Sequence, residues 1–438
     1  MTQRALALID GEHYAPVVKS ALAELPYDFV AAHVVGGTEK LRENADYGVA
    51  VVDDLDAALA EHRPALVVDL SDEPVLGPRE RFHFASRVLA AGLPYVGADF
   101  RFDPPELEPF PLPSIGIVGT GKRVGKTAIT AHAARLYARD RKVVVVAMGR
   151  GGPPEPEVAS VAPNLEALLE LSRAGRHAAS DYLETAALAG VETVGCRRCG
   201  GGLAGTVSSS NVREGARLAV ELDPDLVVFD GSGAAFPPIE TSRRILVVNA
   251  QQDPDVVTGY LNEYRQLVSD LVILTMAERG SGWEDLHGRV LTLATKVIAT
   301  TMRPQPVESV AGRTVAFFTT APESALDGFA AHLRDECGAD VVHVSGSLAD
   351  RAKLRTELAS VEAEVFLVEL KAAAIDIVAE AASERGVDVV LAGSQVSTVD
   401  GQDLDAELLR LAEEARGVGS TEPLGAEAPA LPASEREQ

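Results

Sequence analysis

The chain has 438 residues, a formal net charge of −25, and 46% hydrophobic against 24% charged residues. That describes a soluble globular protein with room for several cores, and the acidity excludes nucleic acid and anionic membrane as general partners. Three cysteines (Cys196, Cys199, Cys337) exclude a disulfide framework and point to a reducing cytoplasm.

Residues 1–105 read as a Rossmann-like α/β unit. Ala5–Ile9, Phe29–Val35, Ala65–Leu70 and Pro94–Val96 are short apolar runs, separated by helical stretches such as Val17–Leu25 and Leu55–His62. That alternation predicts a parallel sheet covered by helices. No secretory signal precedes the first run, and no apolar stretch approaches the ~18 residues that span a bilayer. Asp10-Gly-Glu12-His13-Tyr14 ends the first strand, where loops face a ligand crevice. Asp10, Glu12 and His13 are therefore candidates for substrate or metal positioning, with a helix N-cap at Asp10 as the plain alternative.

Phe102–Pro113 holds five prolines in twelve residues, a semi-rigid linker (106–113 at its narrowest) that no helix can cross. A second α/β domain, 114–311, follows with strands at Ile115–Val118, Val143–Ala147, Leu226–Phe229, Ile245–Val248 and Leu271–Leu274. Its first turn is Gly119-Thr120-Gly121-Lys122-Arg123-Val124-Gly125-Lys126-Thr127, followed by a helix over Ala128–Tyr137. Strand, glycine-rich turn and helix make a P-loop, whose backbone N–H groups and helix N-terminus wrap a triphosphate. Lys126 is placed to reach the β- and γ-phosphates and the Thr127 hydroxyl to ligate Mg²⁺. Thr120 stands where the strict motif has its first glycine.

Asp230 ends the strand Leu226-Val-Val-Phe and is followed by Gly-Ser-Gly233, the position of a Mg²⁺-holding carboxylate beside the γ-phosphate. Arg150, after the strand that follows the P-loop helix, and Lys122 and Arg123 within the P-loop supply positive charge for the transferred phosphate or an acceptor. Gly195-Cys-Arg197-Arg198-Cys-Gly200-Gly201-Gly202 offers guanidinium forks and exposed backbone N–H groups, which suit a phosphate-bearing substrate. A metal or redox role for the C-x-x-C pair and a plain surface loop stay open beside that reading.

A third α/β region, 312–416, carries strands near Thr314–Phe318, Asp340–Val344, Val365–Leu370 and Val387–Leu391. It is either a separate domain or an extension of the same sheet. Lys371, in Glu369-Leu-Lys-Ala-Ala-Ala-Ile-Asp376, could meet an anion or lie on a helix surface. From 417 to 438 Gly, Pro, Ala and Glu without periodicity predict a disordered tail.

The P-loop resembles the G-T-x-x-x-V-G-K-T loop of dethiobiotin synthetase, which places this domain in the dethiobiotin synthetase/MinD-like class. The strings Leu8-Ile-Asp-Gly-Glu-His-Tyr14, Gly119–Thr127, Gly195–Gly202 and Glu369–Asp376 together resemble the cyclic 2,3-diphosphoglycerate synthetase family in matching order. That resemblance implies ATP-dependent closure of 2,3-bisphosphoglycerate to its cyclic form, with release of ADP and phosphate. Lys126, Asp230, Arg150 and Lys122 would be catalytic, with Arg197, Arg198, Gly200–Gly202, Arg123, Arg150, Asp10, Glu12, His13 and Lys371 toward the substrate. ATP and Mg²⁺ are the expected cofactors, K⁺ a further candidate, and a homodimer the expected assembly. Two alternatives stand: a carboxylate-activating ligase of the dethiobiotin synthetase type, and a MinD/ParA-like regulatory ATPase. The second is weakened because Gly121 occupies the place of its signature lysine. A GTPase is disfavoured, since Thr295-Lys296 is followed by Val297-Ile298.

Overall fold

Uninterrupted runs of Val, Ile and Leu form the central strands, and their burial on both faces is what a parallel sheet covered by helices requires. The computed structural model describes residues 2–37, 45–159, 181–294, 296–369 and 375–417. Two sheets result. The first comprises β1 (Gln3–Ile9), β2 (Tyr27–Val34), β3 (Ala50–Val52), β4 (Leu66–Asp69), β5 (Tyr95–Val96) and β6 (Arg101–Phe102), in order β3-β2-β1-β4-β5-β6. All its pairs are parallel except β5 with β6. It carries helices α1 (Ala15–Glu24), α2 (Leu55–His62) and α3 (Pro78–Ala90).

The proline-rich stretch does not hang between the two sheets. Glu108 makes an isolated bridge to Ile239, and Phe110 stands edge-on to buried Phe229 at 4.9 Å. Apolar side chains between the prolines have a core to enter, and that fixes the stretch.

The second sheet has thirteen strands. Its first half holds β7 (Ser114–Gly119), β8 (Val143–Gly149), β9 (Glu157–Ala159), β10 (Glu192–Cys199), β11 (Ser209–Ser210), β12 (Leu226–Asp230), β13 (Arg243–Asn249) and β14 (Leu271–Thr275). Beyond these come β15 (Val297–Pro306), β16 (Thr314–Phe318), β17 (Asp340–Ser345), β18 (Val365–Glu369) and β19 (Asp388–Thr398). The order is β11-β10-β8-β12-β7-β13-β14-β15-β19-β18-β16-β17, with β9 on β10. The C-terminal region thus extends the P-loop sheet. The link is β15, a ten-residue strand that pairs in parallel with β14 and then antiparallel with β19.

Helix α4 (Lys126–Tyr137) is alanine-rich and buries nine of its twelve residues. It lies under the sheet against the helix Leu404–Gly417, to which His132 Nε2 is joined through Asp405 Oδ1 at 2.7 Å. That last helix escapes the sequence reading. The two sheets meet where Ala85, Val88 and Leu89 of α3 share a core with Leu261 and Tyr264. His83 Nδ1 lies 2.7 Å from Glu263 Oε1 across that seam. Among the described residues no helix is long and apolar enough to cross a membrane.

Candidate nucleotide and anion site

Strand β7 lies between β12 and β13, so the loops after these three strands share one crevice at the carboxyl edge. The P-loop turns there. Gly125 sits at φ +78° and Arg123 at φ +58°, and a Cβ on Gly119 would come within 2.7 Å of Val124 Cγ2. The motif's departure at Thr120 has a use: its hydroxyl donates to Gln252 Oε1 at 2.6 Å, tying the loop to the segment after β13. Thr275 Oγ1 donates to Val124 O at 2.8 Å and anchors the other side to β14. No side chain caps α4 at Gly125, so its first-turn N–H groups face the crevice without a side-chain acceptor, the arrangement that receives a phosphate.

Lys126 forms a salt bridge with Asp230 Oδ1, which also accepts from Thr130 Oγ1 at 2.8 Å. Asp230 is 1% exposed and Thr127 7% exposed. A buried carboxylate and a hydroxyl at the helix start are hard oxygen donors, and they fit Mg²⁺ shared with nucleotide phosphates better than a soft-metal site. Among the described residues no group of three or more His, Cys, Asp and Glu could hold a metal on its own.

Two of the predicted basic residues, Arg198 and Arg150, lie at the turn that follows Asp230. Arg198 Nη2 donates to Ser232 O at 2.9 Å and Nη1 to Gly200 O at 2.7 Å. Arg150 Nη2 lies 3.3 Å from where a Cβ on Gly233 would sit, and Gly119 N donates to Gly233 O at 3.0 Å. Arg197 pairs in register with Gly149, beside Arg150, and both arginines are exposed, as are Lys122 and Arg123.

The Cys-Arg-Arg-Cys stretch is not a loop, as the glycines suggested, but the end of β10. Alternation along the strand turns Cys196 inward and Arg197 outward. A Cβ on Gly215 would lie 2.2 Å from Cys196 Sγ. Burial, with the charge of Glu214, pushes that thiol up to about 12, so Cys196 is a packed core residue and Cys199 an exposed one. A redox pair would need a reactive thiolate at one of the two, and at Cys196 burial opposes it.

Asp10 is fully buried and does not cap α1, whose N-cap is Tyr14. Its Oδ1 accepts from the N–H groups of Glu12 (3.0 Å) and His13 (3.2 Å), and Oδ2 accepts from Asp72 N at 2.8 Å. His13 Nδ1 is 2.8 Å from Asp10 Oδ1 and Nε2 3.3 Å from Asp72 Oδ2. Burial would raise the Asp10 pKa, but these hydrogen bonds and His13 hold it below the ordinary carboxylate value. Lys371 lies outside the described residues.

Sequence reasoning missed Arg265. It is 3% exposed and donates to Leu203 O (2.9 Å), Ala234 O (2.8 Å) and Leu261 O (2.7 Å), joining the loops after β10 and β12 to one short helix. Burial lowers its pKa to about 10, which leaves it charged at neutral pH. An arginine in a polar helical stretch gives no local sign of such a role.

Comparison with known proteins follows the same three segments. Family models described as the N-terminal, P-loop and C-terminal domains of cyclic 2,3-diphosphoglycerate synthetase match residues 4–103, 114–302 and 306–395. A cyclic 2,3-diphosphoglycerate synthetase of Rubrobacter xylanophilus is 49% identical over 94% of this chain and 98% of its own length. One of Methanothermus fervidus is 40% identical over 89% and 92% respectively. Among solved structures, LpxK of Aquifex aeolicus in complex with ATP covers 71% of this chain and 90% of its own at 16% identity. Its TM-score of 0.43 is too low to carry an argument.

Proposed function

The chain belongs to the cyclic 2,3-diphosphoglycerate synthetase family, and from that premise we propose that it closes 2,3-bisphosphoglycerate into its cyclic diphosphate at the cost of one ATP. Support comes from the convergence of the P-loop, the Asp230 turn and the exposed arginines at one carboxyl edge. The P-loop cradles the triphosphate, and Lys126 moves from Asp230 to the β- and γ-phosphates when nucleotide enters. Thr127 and Asp230 would hold Mg²⁺, which neutralises charge on the transferring phosphoryl group.

One substrate phosphate oxygen attacks the γ-phosphorus, ADP leaves, and a diphosphate forms on the substrate. An oxygen of the neighbouring phosphate then attacks the inner phosphorus of that diphosphate and expels inorganic phosphate, closing the ring. The second step is intramolecular and gains the effective-molarity advantage of a held geometry. The obstacle is repulsion, because a substrate of about five negative charges must meet ATP. Lys122, Arg123, Arg150 and Arg197 supply opposing charge, and Arg198 holds the two loops that carry it. Asp10, Glu12, His13 and Lys371 are proposed as substrate-positioning groups on the other crevice and on the segment after β18. A homodimer in the cytoplasm, using Mg²⁺ with K⁺ as a further cation, completes the proposal. A free carboxylate ligase or a switch ATPase would not account for family matches in all three segments.

Incubation with ATP, Mg²⁺ and 2,3-bisphosphoglycerate should give ADP, phosphate and a new ring-phosphate signal by ³¹P NMR. ATP hydrolysis independent of substrate, with no new phosphorus signal, would defeat the assignment.

A further inference from the structure

The change of partner along β15 has a geometric consequence. Val297 to Ala299 pair in parallel with β14, whereas Thr300 to Pro306 pair antiparallel with β19. Strands β18 and β16 run parallel to β19, so this half of the sheet points back toward the P-loop half. Strand β18 ends at Glu369, opposite Ala392, while β19 continues to Thr398 opposite Thr300. The carboxyl edge of the C-terminal half therefore faces the carboxyl edge that carries the P-loop. Between the two edges lies a cavity of 490 Å³.

We propose that this cavity receives the base and ribose of the nucleotide, so that the C-terminal half of the sheet forms one wall of the ATP site. The inference rests on the ATP-dependent reading above and adds to it where the nucleoside lies. Continuity carries it first: Arg123 and Gly125 of the phosphate loop line the cavity, so a ligand with phosphates on that loop extends into it. Composition carries it second. Met276 and Met302 on the P-loop side and Phe317 and Phe329 on the C-terminal side offer apolar faces to a flat ring, and Asn249 and Thr320 offer hydrogen-bonding edges.

Backbone strain points the same way. Arg123 (φ +58°) and Met276 (φ +56°) are two non-glycine residues in the left-handed region, and both border this space. Such strain persists at ligand clamps because the surrounding structure over-determines it. The rim is pre-formed. Arg303 grips Glu278 through two nitrogens at 2.7 and 2.8 Å, and Glu369 Oε2 accepts from Thr319 Oγ1, Thr320 N and Thr320 Oγ1.

Gly328 gives the test. It lies in the helix Glu323–Asp335 and borders the cavity, and a Cβ built on it meets nothing within 4 Å. Gly328→Phe should fold normally, since replacing a mid-helix glycine favours the helix. Its ring should fill the cavity and weaken ATP and ADP binding at least ~10-fold by calorimetry, equivalent to a Kd ratio of ten. Tripolyphosphate, which touches only the phosphate loop, should bind the variant and wild type alike. Unchanged nucleotide affinity in a folded variant, or parallel loss of tripolyphosphate, overturns the proposal. In wild type, photolabelling with 8-azido-ATP should mark peptides within 302–304 or 317–329. Label confined to other segments overturns it, whereas a wild-type protein that binds no ATP overturns the catalytic reading on which it stands.

Discussion

Strands β1 and β7 each deliver a loop to the carboxyl edge of a parallel sheet, yet the two loops use their polar groups in opposite ways. In the Asp10 loop one buried carboxylate accepts three backbone N–H groups and meets His13, so donors and acceptor satisfy each other. In the P-loop the helix start has no side-chain cap, and Lys122, Arg123, Arg150 and Arg197 stand exposed around it. The first loop is rigid because its hydrogen bonds are closed on the protein. The second leaves its helix start without a side-chain cap and has exposed cations nearby, the combination that suits an incoming polyanion. Topology gives both loops a ligand-facing position, and they differ in how many of their polar groups are already committed to the protein.

The largest expected effect tests the phosphate side of that contrast. Lys126→Ala should lower kcat by about 10²–10³-fold, the range found when one charge-stabilising donor is removed from a transition state. Steady-state turnover measures it, and a variant near wild-type activity would leave the P-loop without a catalytic role. Next comes Arg198→Ala, which frees the Gly200 and Ser232 loops from each other. The KM for 2,3-bisphosphoglycerate should rise about tenfold, ~1.4 kcal/mol, with ATP affinity within about twofold. Equal loss of both would move that arginine to the nucleotide.

The last prediction concerns stability and not turnover, and it probes the closed loop. Asp10→Asn should cost about 1–3 kcal/mol at pH 7, because charged acceptors are lost from buried N–H donors. The folded Asp10 pKa is lowered, so its contribution is present above the ordinary Asp value and fades as pH falls through the folded one. Urea melts should therefore show a wild-type advantage at pH 7 that shrinks below pH ~4. A pH-independent difference would mean that packing at Asp10, and not its charge, stabilises the loop.

Much of this was legible before folding. Gly119–Thr127 announces its turn because glycines, lysine and threonine at that spacing act within one loop and one helical turn. Asp230 is recognisable as a carboxylate at a strand end, and the apolar runs place most central strands, though not β10 or β15. Of the two readings open for Asp10, the N-cap alternative falls, since Tyr14 takes that place, and the string cannot say that Asp72 brings an N–H to Asp10 from 62 residues away. Cys196 and Arg197 are neighbours in sequence, but the pleat sends one into the core beneath Gly215 and leaves the other exposed. Arg265 was silent because two of its three carbonyl partners, Leu203 and Ala234, come from segments far from it in the chain.

The sequence alone determined the P-loop string, the α/β rhythm and the family to which the strings belong, since each depends on groups a few residues apart. Tertiary structure decided that the C-terminal region continues the P-loop sheet, that β15 turns two carboxyl edges toward each other, and that Arg198 spans two loops. Those outcomes follow from strand order and burial, which depend on contacts between segments far apart in the chain. No local pattern of side chains encodes them on its own.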